Sequence, residues 1–246
     1  MGNVINFAHR GASAYCPENT LAAFIRSLEL GATGIETDVQ LTKDGELVLI
    51  HDETLMRTTD GQGWVKNTTL EEIRTLDAGS WYDPSFKGQR VPTLDELFEL
   101  VKERNIIINV ELKNGAVIYE GLEEKVIERI RAYGLSEQVI LSSFNHYSLA
   151  LCKQIAPDIQ TGILYMEGLY EPWEYARTLR ADALHAYHFA VYPEFVASAK
   201  GHGMVYHPFT VNDPEEMQRL IQAGVAGIIT DYPDRLAALL QTTTNV

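Results

Sequence analysis

The chain has 246 residues, 46% of them hydrophobic and 22% charged, with 34 acidic against 20 basic side chains and a net charge of −14. That length suits one large domain or two small ones, and it lies close to the ~250 residues of an eight-stranded α/β barrel. So much negative charge with no cluster of Lys and Arg argues against nucleic acid and against stable association with an anionic membrane, and leaves a small molecule as the expected partner.

Strand and helix signals alternate along the chain. Short apolar runs predict strands over 4–8, 35–39, 107–111, 139–142, 161–164, 183–186, 204–208 and 227–230. Helical periodicity follows over 20–30, 94–103, 118–132, 147–155, 174–179, 193–200, 214–223 and 234–240. Thr69 with Glu72 and Thr93 with Glu96 fit capping boxes, and Asp213-Pro214 places an acceptor before a first-turn proline. Eight such pairs imply βαβ units closed into an α/β TIM (β/α)8 barrel in a single domain over residues 1–246.

One strand-like run, 46–50, is left over. It follows Asp44-Gly45, a two-residue hairpin signal. That turn sets residue 43 opposite 46, 40 opposite 49 and Asp38 opposite His51. Residues 52–92 then form an insertion after strand two, with one short helix over 70–76 and the aromatics Trp64, Trp81, Tyr82 and Phe86. Long rim connections of this kind serve as lids, as substrate walls or as small packed satellites. The last residues, Thr242 to Val246, have the composition of a disordered tail.

The ends of the first strands carry the chemistry. Strand one delivers His9 and Arg10, strand two carries Glu36 and Asp38, and strand three carries Glu111 with Lys113 beyond it. Residues i and i+2 share a face of a strand, so each pair points one way, and barrel enzymes place their sites at these C-terminal ends. Three carboxylates at one point need a compensating cation, and an all-oxygen set favours Mg²⁺ or Ca²⁺. Arg10 and Lys113 suit an anionic group such as phosphate, and His9 and His51 can move protons near neutral pH.

The other histidines carry less weight. His185 and His188 fall on opposite faces of a strand, and His146, His202 and His207 read as loop or surface residues. Cys16 and Cys152 form no CxxC pattern and read as a reduced pair. No GxxxxGK[ST] loop, no GxGxxG after a strand and no GxSxG elbow is present, against P-loop hydrolysis, a dinucleotide cofactor and α/β-hydrolase chemistry. The first residues have no basic leader, and Gly2 is followed at the required position by Asn6 rather than Ser or Thr, so a cytoplasmic enzyme is expected.

The segments AHRGASAYCPENTLAAF, GIETDVQLTKDGELVLIHDETLMRTTDGQG, VPTLDEL and NVELK, with FTVND and GIITDYP later, closely resemble bacterial glycerophosphodiester phosphodiesterases. The resemblance implies an α/β barrel with a small insertion and hydrolysis of a glycerophosphodiester to sn-glycerol 3-phosphate and an alcohol such as choline or ethanolamine. It assigns Glu36, Asp38 and Glu111 to the metal, His9 and His51 to acid–base catalysis, and Arg10 and Lys113 to phosphate. Glu18 and Asn19, in the PENT segment, become supporting residues. The family usually has Trp before TVN where this chain has Phe209, which keeps the apolar substrate wall and loses an indole donor. A related barrel phosphodiesterase acting on lysophospholipids, of lysophospholipase D type, is the alternative. The oligomeric state is left open.

Overall fold

The structure, a computed structural model, describes residues 4–244. The expectations about a leader and Gly2 fall largely on residues 1–3, outside the described residues.

The strands are β1 (Ile5–His9), β2 (Gly34–Leu41), β3 (Leu47–Leu49), β4 (Ile107–Leu112), β5 (Val139–Ser143), β6 (Gln160–Tyr165), β7 (Ala183–Ala186), β8 (Val205–Tyr206) and β9 (Gly227–Thr230). Eight run parallel in the order β8-β7-β6-β5-β4-β2-β1-β9. Backbone hydrogen bonds complete the ring: Ala226 N–H donates to Tyr206 C=O (3.1 Å), Ile229 N–H to Pro208 C=O (3.0 Å) and Val211 N–H to Ile229 C=O (2.9 Å). The expected eight-stranded barrel is therefore present.

Between the strands run helices α1 (Leu21–Glu29), α2 (Leu70–Ile73), α3 (Leu94–Val101), α4 (Leu122–Ala132), α5 (His146–Ile155), α6 (Pro172–Thr178), α7 (Pro193–Gly201) and α8 (Pro214–Ala223), and α9 (Pro233–Thr244) follows the last strand. Both predicted capping boxes form, at Thr69 and Thr93. The predicted helix starting at 118 begins only at Leu122, and α2 is shorter than expected. The tail expected from Thr242 is helical through Thr244, while Asn245 and Val246 lie outside the described residues.

Alternation along each strand separates two cores. Ile35, Ile108, Val110, Leu141 and Ile228 face outward against the helices. Phe7, Ile140 and Ile229 face the axis and form an apolar plug, with Ile107 and Phe209 packed on it. One strand step beyond the plug lie His9, Ser142 and Asp231. Above this plug the barrel turns polar at its C-terminal mouth. Insertion residues Leu55, Val65, Ile73, Ala78 and Val91 pack with Val48 and Ile50 of the hairpin into a separate small core.

The hairpin register differs by one residue from expectation. Leu41 pairs with Leu47, Gln40 with Val48 and Val39 with Leu49. Gly45 at φ +80° makes a three-residue loop in place of a two-residue turn, with Thr42 N–H on Glu46 C=O. Asp38 consequently faces Ile50, whose N–H donates to Asp38 C=O (3.1 Å), and His51 lies one residue beyond the predicted pairing.

Candidate active site

Register between β1, β2 and β4 brings the acids together. His9 stands beside Glu36, and Asp38 beside Glu111. One carboxylate oxygen from each of Glu36, Asp38 and Glu111 lies within 4.8 Å of the others. Burial, then the Asp38 charge, pushes Glu36 well above the ordinary carboxylate range and raises Glu111. Burial acts the same way on Asp38, but the charges of Arg10 and Lys113 outweigh it and hold Asp38 at about 2.

The neighbours are arranged to keep charge there. Arg10 has φ +54°, a conformation costing a non-glycine residue about 1 kcal/mol or more. It aims the Arg10 N–H at Glu36 Oε2 (2.9 Å), and sends Arg10 Nη1 to Glu18 Oε1 (2.9 Å). Lys113 Nζ reaches Glu111 Oε1 at 2.9 Å and stands 3.8 Å from Asp38 Oδ1. Asn19 donates to Asp38 Oδ2 (2.9 Å) and accepts from the Thr37 hydroxyl (2.7 Å). Asp38 Oδ1 is buried with no hydrogen-bond partner. An all-oxygen cluster whose burial opposes ionisation, with an orphaned carboxylate oxygen, fits a hard divalent cation.

Both histidines flank the cluster, and each rests its Nδ1 on a carboxylate. His9 Nδ1 is 2.6 Å from Asp231 Oδ1, with Nε2 at 4.0 Å from Glu36 Oε2. Asp231 is held in turn by Ser13 Oγ (2.9 Å) and Asn212 Nδ2 (2.6 Å). His51 Nδ1 is 2.7 Å from Asp52 Oδ1. The amide of Gln40 donates to the carbonyls of Ile50, His51 and Asp52 at 2.7–3.1 Å and pins this stretch of backbone. A carboxylate can only accept, so it selects the Nδ1–H tautomer and leaves Nε2 as the working nitrogen. A cleft of about 240 Å³ runs along His9, Arg10, Glu18 and Asp231.

Across the mouth the wall is aromatic. Phe209 sits 6.0 Å from Phe144 and 6.2 Å from Tyr187, centroid to centroid, and Tyr187 sits 5.4 Å from Phe189. The loops carrying this wall, 144–146, 166–171, 187–192 and 207–213, contain no Lys or Arg. Arg219 and Arg235 reach these loops from α8 and α9, where Arg219 Nη1 donates to Val191 C=O (2.9 Å) and Arg235 Nη1 to Asn212 C=O (3.1 Å).

The eight residues expected at the metal, the acid–base pair, the phosphate and the substrate wall therefore lie around the mouth, with Glu18 and Asn19 beside Arg10 and Asp38. Sequence reasoning missed Asp231 and Arg57, whose guanidinium donates to both Asp52 and Glu18, and gave Asp52 no role, although Asp231 belongs to the GIITDYP segment and Asp52 directly follows His51. It also misplaced His207. That ring is buried in the barrel beside Phe7, with Nδ1 3.1 Å from Nε2 of buried His185.

Residues 9–235 match the sequence profile of the glycerophosphoryl diester phosphodiesterase family. The chain belongs to this family. It is similar to a glycerophosphodiester phosphodiesterase of Caldanaerobacter subterraneus subsp. tengcongensis, at 53% identity over 95% of this chain and 96% of that one. Among solved structures it resembles an Oleispira antarctica phosphodiesterase in complex with the product sn-glycerol-3-phosphate, with TM-score 0.84 and 32% identity over 98% of this chain and 96% of that one. It also resembles a glycerophosphodiester phosphodiesterase of Agrobacterium tumefaciens str. C58, with TM-score 0.85 and 31% identity over 97% and 100%. The chain is a phosphodiesterase of this class, built on the family's barrel. Among the described residues no helix is long and apolar enough to cross a membrane.

Proposed function

We propose that this chain hydrolyses glycerophosphodiesters to sn-glycerol 3-phosphate and an alcohol, using Mg²⁺ or Ca²⁺ and two histidines. The observation that carries this reading is the pair of imidazoles, each with Nδ1 on a carboxylate, on the two sides of the Glu36–Asp38–Glu111 cluster. Those three carboxylates would hold the cation, which when bound supplies a Lewis acid for the phosphoryl group.

The protein's own groups do the rest. Arg10 and Lys113 bind the phosphate oxygens and keep charge from building up as the diester becomes crowded around phosphorus. One histidine takes the proton from the attacking oxygen at Nε2, and the other gives its proton to the oxygen of the departing alcohol. Asp231 and Asp52 stabilise each ring while it carries the extra proton. The alcohol departs toward Phe144, Tyr187, Phe189 and Phe209. A wall of aromatic faces suits a quaternary ammonium such as choline, which favours glycerophosphocholine. The chain acts as one catalytic domain, with residues 52–92 as its insertion.

The test is enzymatic release of choline or ethanolamine from glycerophosphocholine, glycerophosphoethanolamine and lysophosphatidylcholine, with EDTA and with Mg²⁺ or Ca²⁺ restored. EDTA should abolish turnover and the cation should restore it. His9→Ala and His51→Ala should each lose about 10²- to 10⁴-fold in kcat. Full turnover in EDTA, or in both variants, would discard the mechanism. Faster turnover of lysophosphatidylcholine than of glycerophosphocholine would move the reading to a lysophospholipase D.

A further inference from the structure

We propose that Arg57, supplied by the insertion, is a positioning residue that sets the catalytic geometry of His51 by clamping Asp52 against Glu18. The inference rests on the acid–base role given to His51 above and adds a residue and a role for the insertion.

The geometry is a double fork. Arg57 Nε donates to Asp52 Oδ2 (2.7 Å) and Nη2 to Asp52 Oδ1 (2.8 Å). On its other edge, Nη1 donates to Glu18 Oε2 (2.8 Å) and Nη2 to Glu18 Oε1 (2.8 Å). A guanidinium is planar and fixed in shape, so two bidentate contacts hold both carboxylates in one plane in a way that a lysine cannot. Asp52 Oδ1 is the same oxygen that accepts from His51 Nδ1, and Glu18 Oε1 is the one that accepts from Arg10 Nη1. An unbroken series therefore runs His51–Asp52–Arg57–Glu18–Arg10, joining a proposed proton carrier to a proposed phosphate contact.

Asp52 needs this clamp more than Asp231 does. Asp231 has two neutral anchors, Ser13 and Asn212. The Asp52 carboxylate, 27% exposed, has no anchor among the described residues except Arg57, apart from the histidine it serves. Without Arg57 it is free to rotate into solvent, and His51 loses the group that fixes its tautomer.

Arg57 is itself held by the insertion. Leu55, two residues before it, is buried in the small core with Val65 and Ile73, and its N–H donates to Gly63 C=O (3.0 Å). Thr59, two residues after it, returns both its N–H and its hydroxyl to the Leu55 carbonyl (3.1 and 2.6 Å). The satellite core is thus a strut that fixes Arg57 from outside the barrel. With four of its N–H donors committed to Asp52 and Glu18, Arg57 is not arranged to grip the substrate phosphate.

The experiment compares Arg57→Ala and Arg57→Lys with the unmodified enzyme, alone and combined with His51→Ala, using glycerophosphocholine and saturating Mg²⁺. Arg57→Ala should lower kcat by about 10- to 100-fold and leave KM within about threefold, because transition-state positioning is lost and ground-state binding is not. Arg57→Lys, which keeps the positive charge, should recover less than half of that loss. Added guanidinium at tens of millimolar, below denaturing levels, should restore part of the activity of Arg57→Ala and none of that of His51→Ala. In the His51→Ala background Arg57→Ala should cost less than about twofold, since the residue acts through the ring. An equal loss in both backgrounds would reduce Arg57 to a structural residue and overturn the inference. A tenfold rise in KM with kcat retained would overturn it in favour of a phosphate contact. If His51→Ala alone keeps full turnover, the acid–base assignment fails first, and that is visible before any Arg57 variant is measured.

Discussion

Replacing Asp231 by Asn tests the His9 half of the site at nearly constant shape. The Asp231 carboxylate accepts from His9, Ser13 and Asn212. Burial raises its pKa, but these hydrogen bonds and the His9 charge outweigh burial and hold it at about 2. Measured from an ordinary aspartate, that preference for the ionised form is worth about 2 kcal/mol. A hydrogen bond to a charged group has the same size, about 1.5–3 kcal/mol. The amide carries no charge and offers one acceptor where three donors now converge, so a protonated His9 ring loses about 2 kcal/mol of stabilisation, or roughly 30-fold in kcat. If the amide turns its NH₂ toward Nδ1, the ring adopts the other tautomer and the loss grows. Release of sn-glycerol 3-phosphate at saturating substrate and Mg²⁺ measures the effect, with the melting temperature as the control for folding. The same substitution made in His9→Ala should add almost nothing. A correctly folded Asp231→Asn enzyme with kcat within threefold of the original would refute the reasoning.

Two further predictions concern the barrel interior. Burial pushes His207 down to about 4, and burial with the neighbouring His207 ring depresses His185 too. Between about pH 6.5 and 4 the unfolded chain binds the protons that the folded barrel refuses, so stability should fall as pH drops through that window. His207 alone accounts for about 3 kcal/mol of the loss. Urea midpoints taken from pH 7 to 4.5 should decline less steeply for His207→Gln, and parallel declines would show that the ring is not kept neutral. A Cβ at Gly162 would run into the imidazole of His185. Gly162→Ala should therefore cost about 1–3 kcal/mol, read as a lower urea midpoint, and an unchanged midpoint would mean that His185 moves aside freely.

The chain's two halves of chemistry are bound differently into the fold. His9 ends β1 and Asp231 directly follows β9, one step past the Ala8–Thr230 pair of the parallel ladder, so the barrel wall itself brings them together. Asp52 and His51 lie beyond the hairpin, where no ladder fixes them, and their support comes from the Gln40 amide and from Arg57. The insertion compensates for a catalytic residue placed outside the sheet.

The linear sequence by itself determined the barrel and most of its acidic centre. Strand and helix periods are local properties, and the i, i+2 spacing of Glu36 with Asp38 fixes a shared face whatever surrounds it. The turn at Asp44-Gly45 was equally legible, but its loop length was not, because Gly45 in the left-handed region adds a residue that the dipeptide does not announce. Three-dimensional closure decided the rest. It brought Asp231 onto His9 across 222 positions and folded Arg57 back between Glu18 and Asp52. It also buried His207, which looks like a surface residue in sequence, inside the barrel against His185. Such pairings depend on which strands become neighbours and on where a loop returns, and no periodicity along the chain records either.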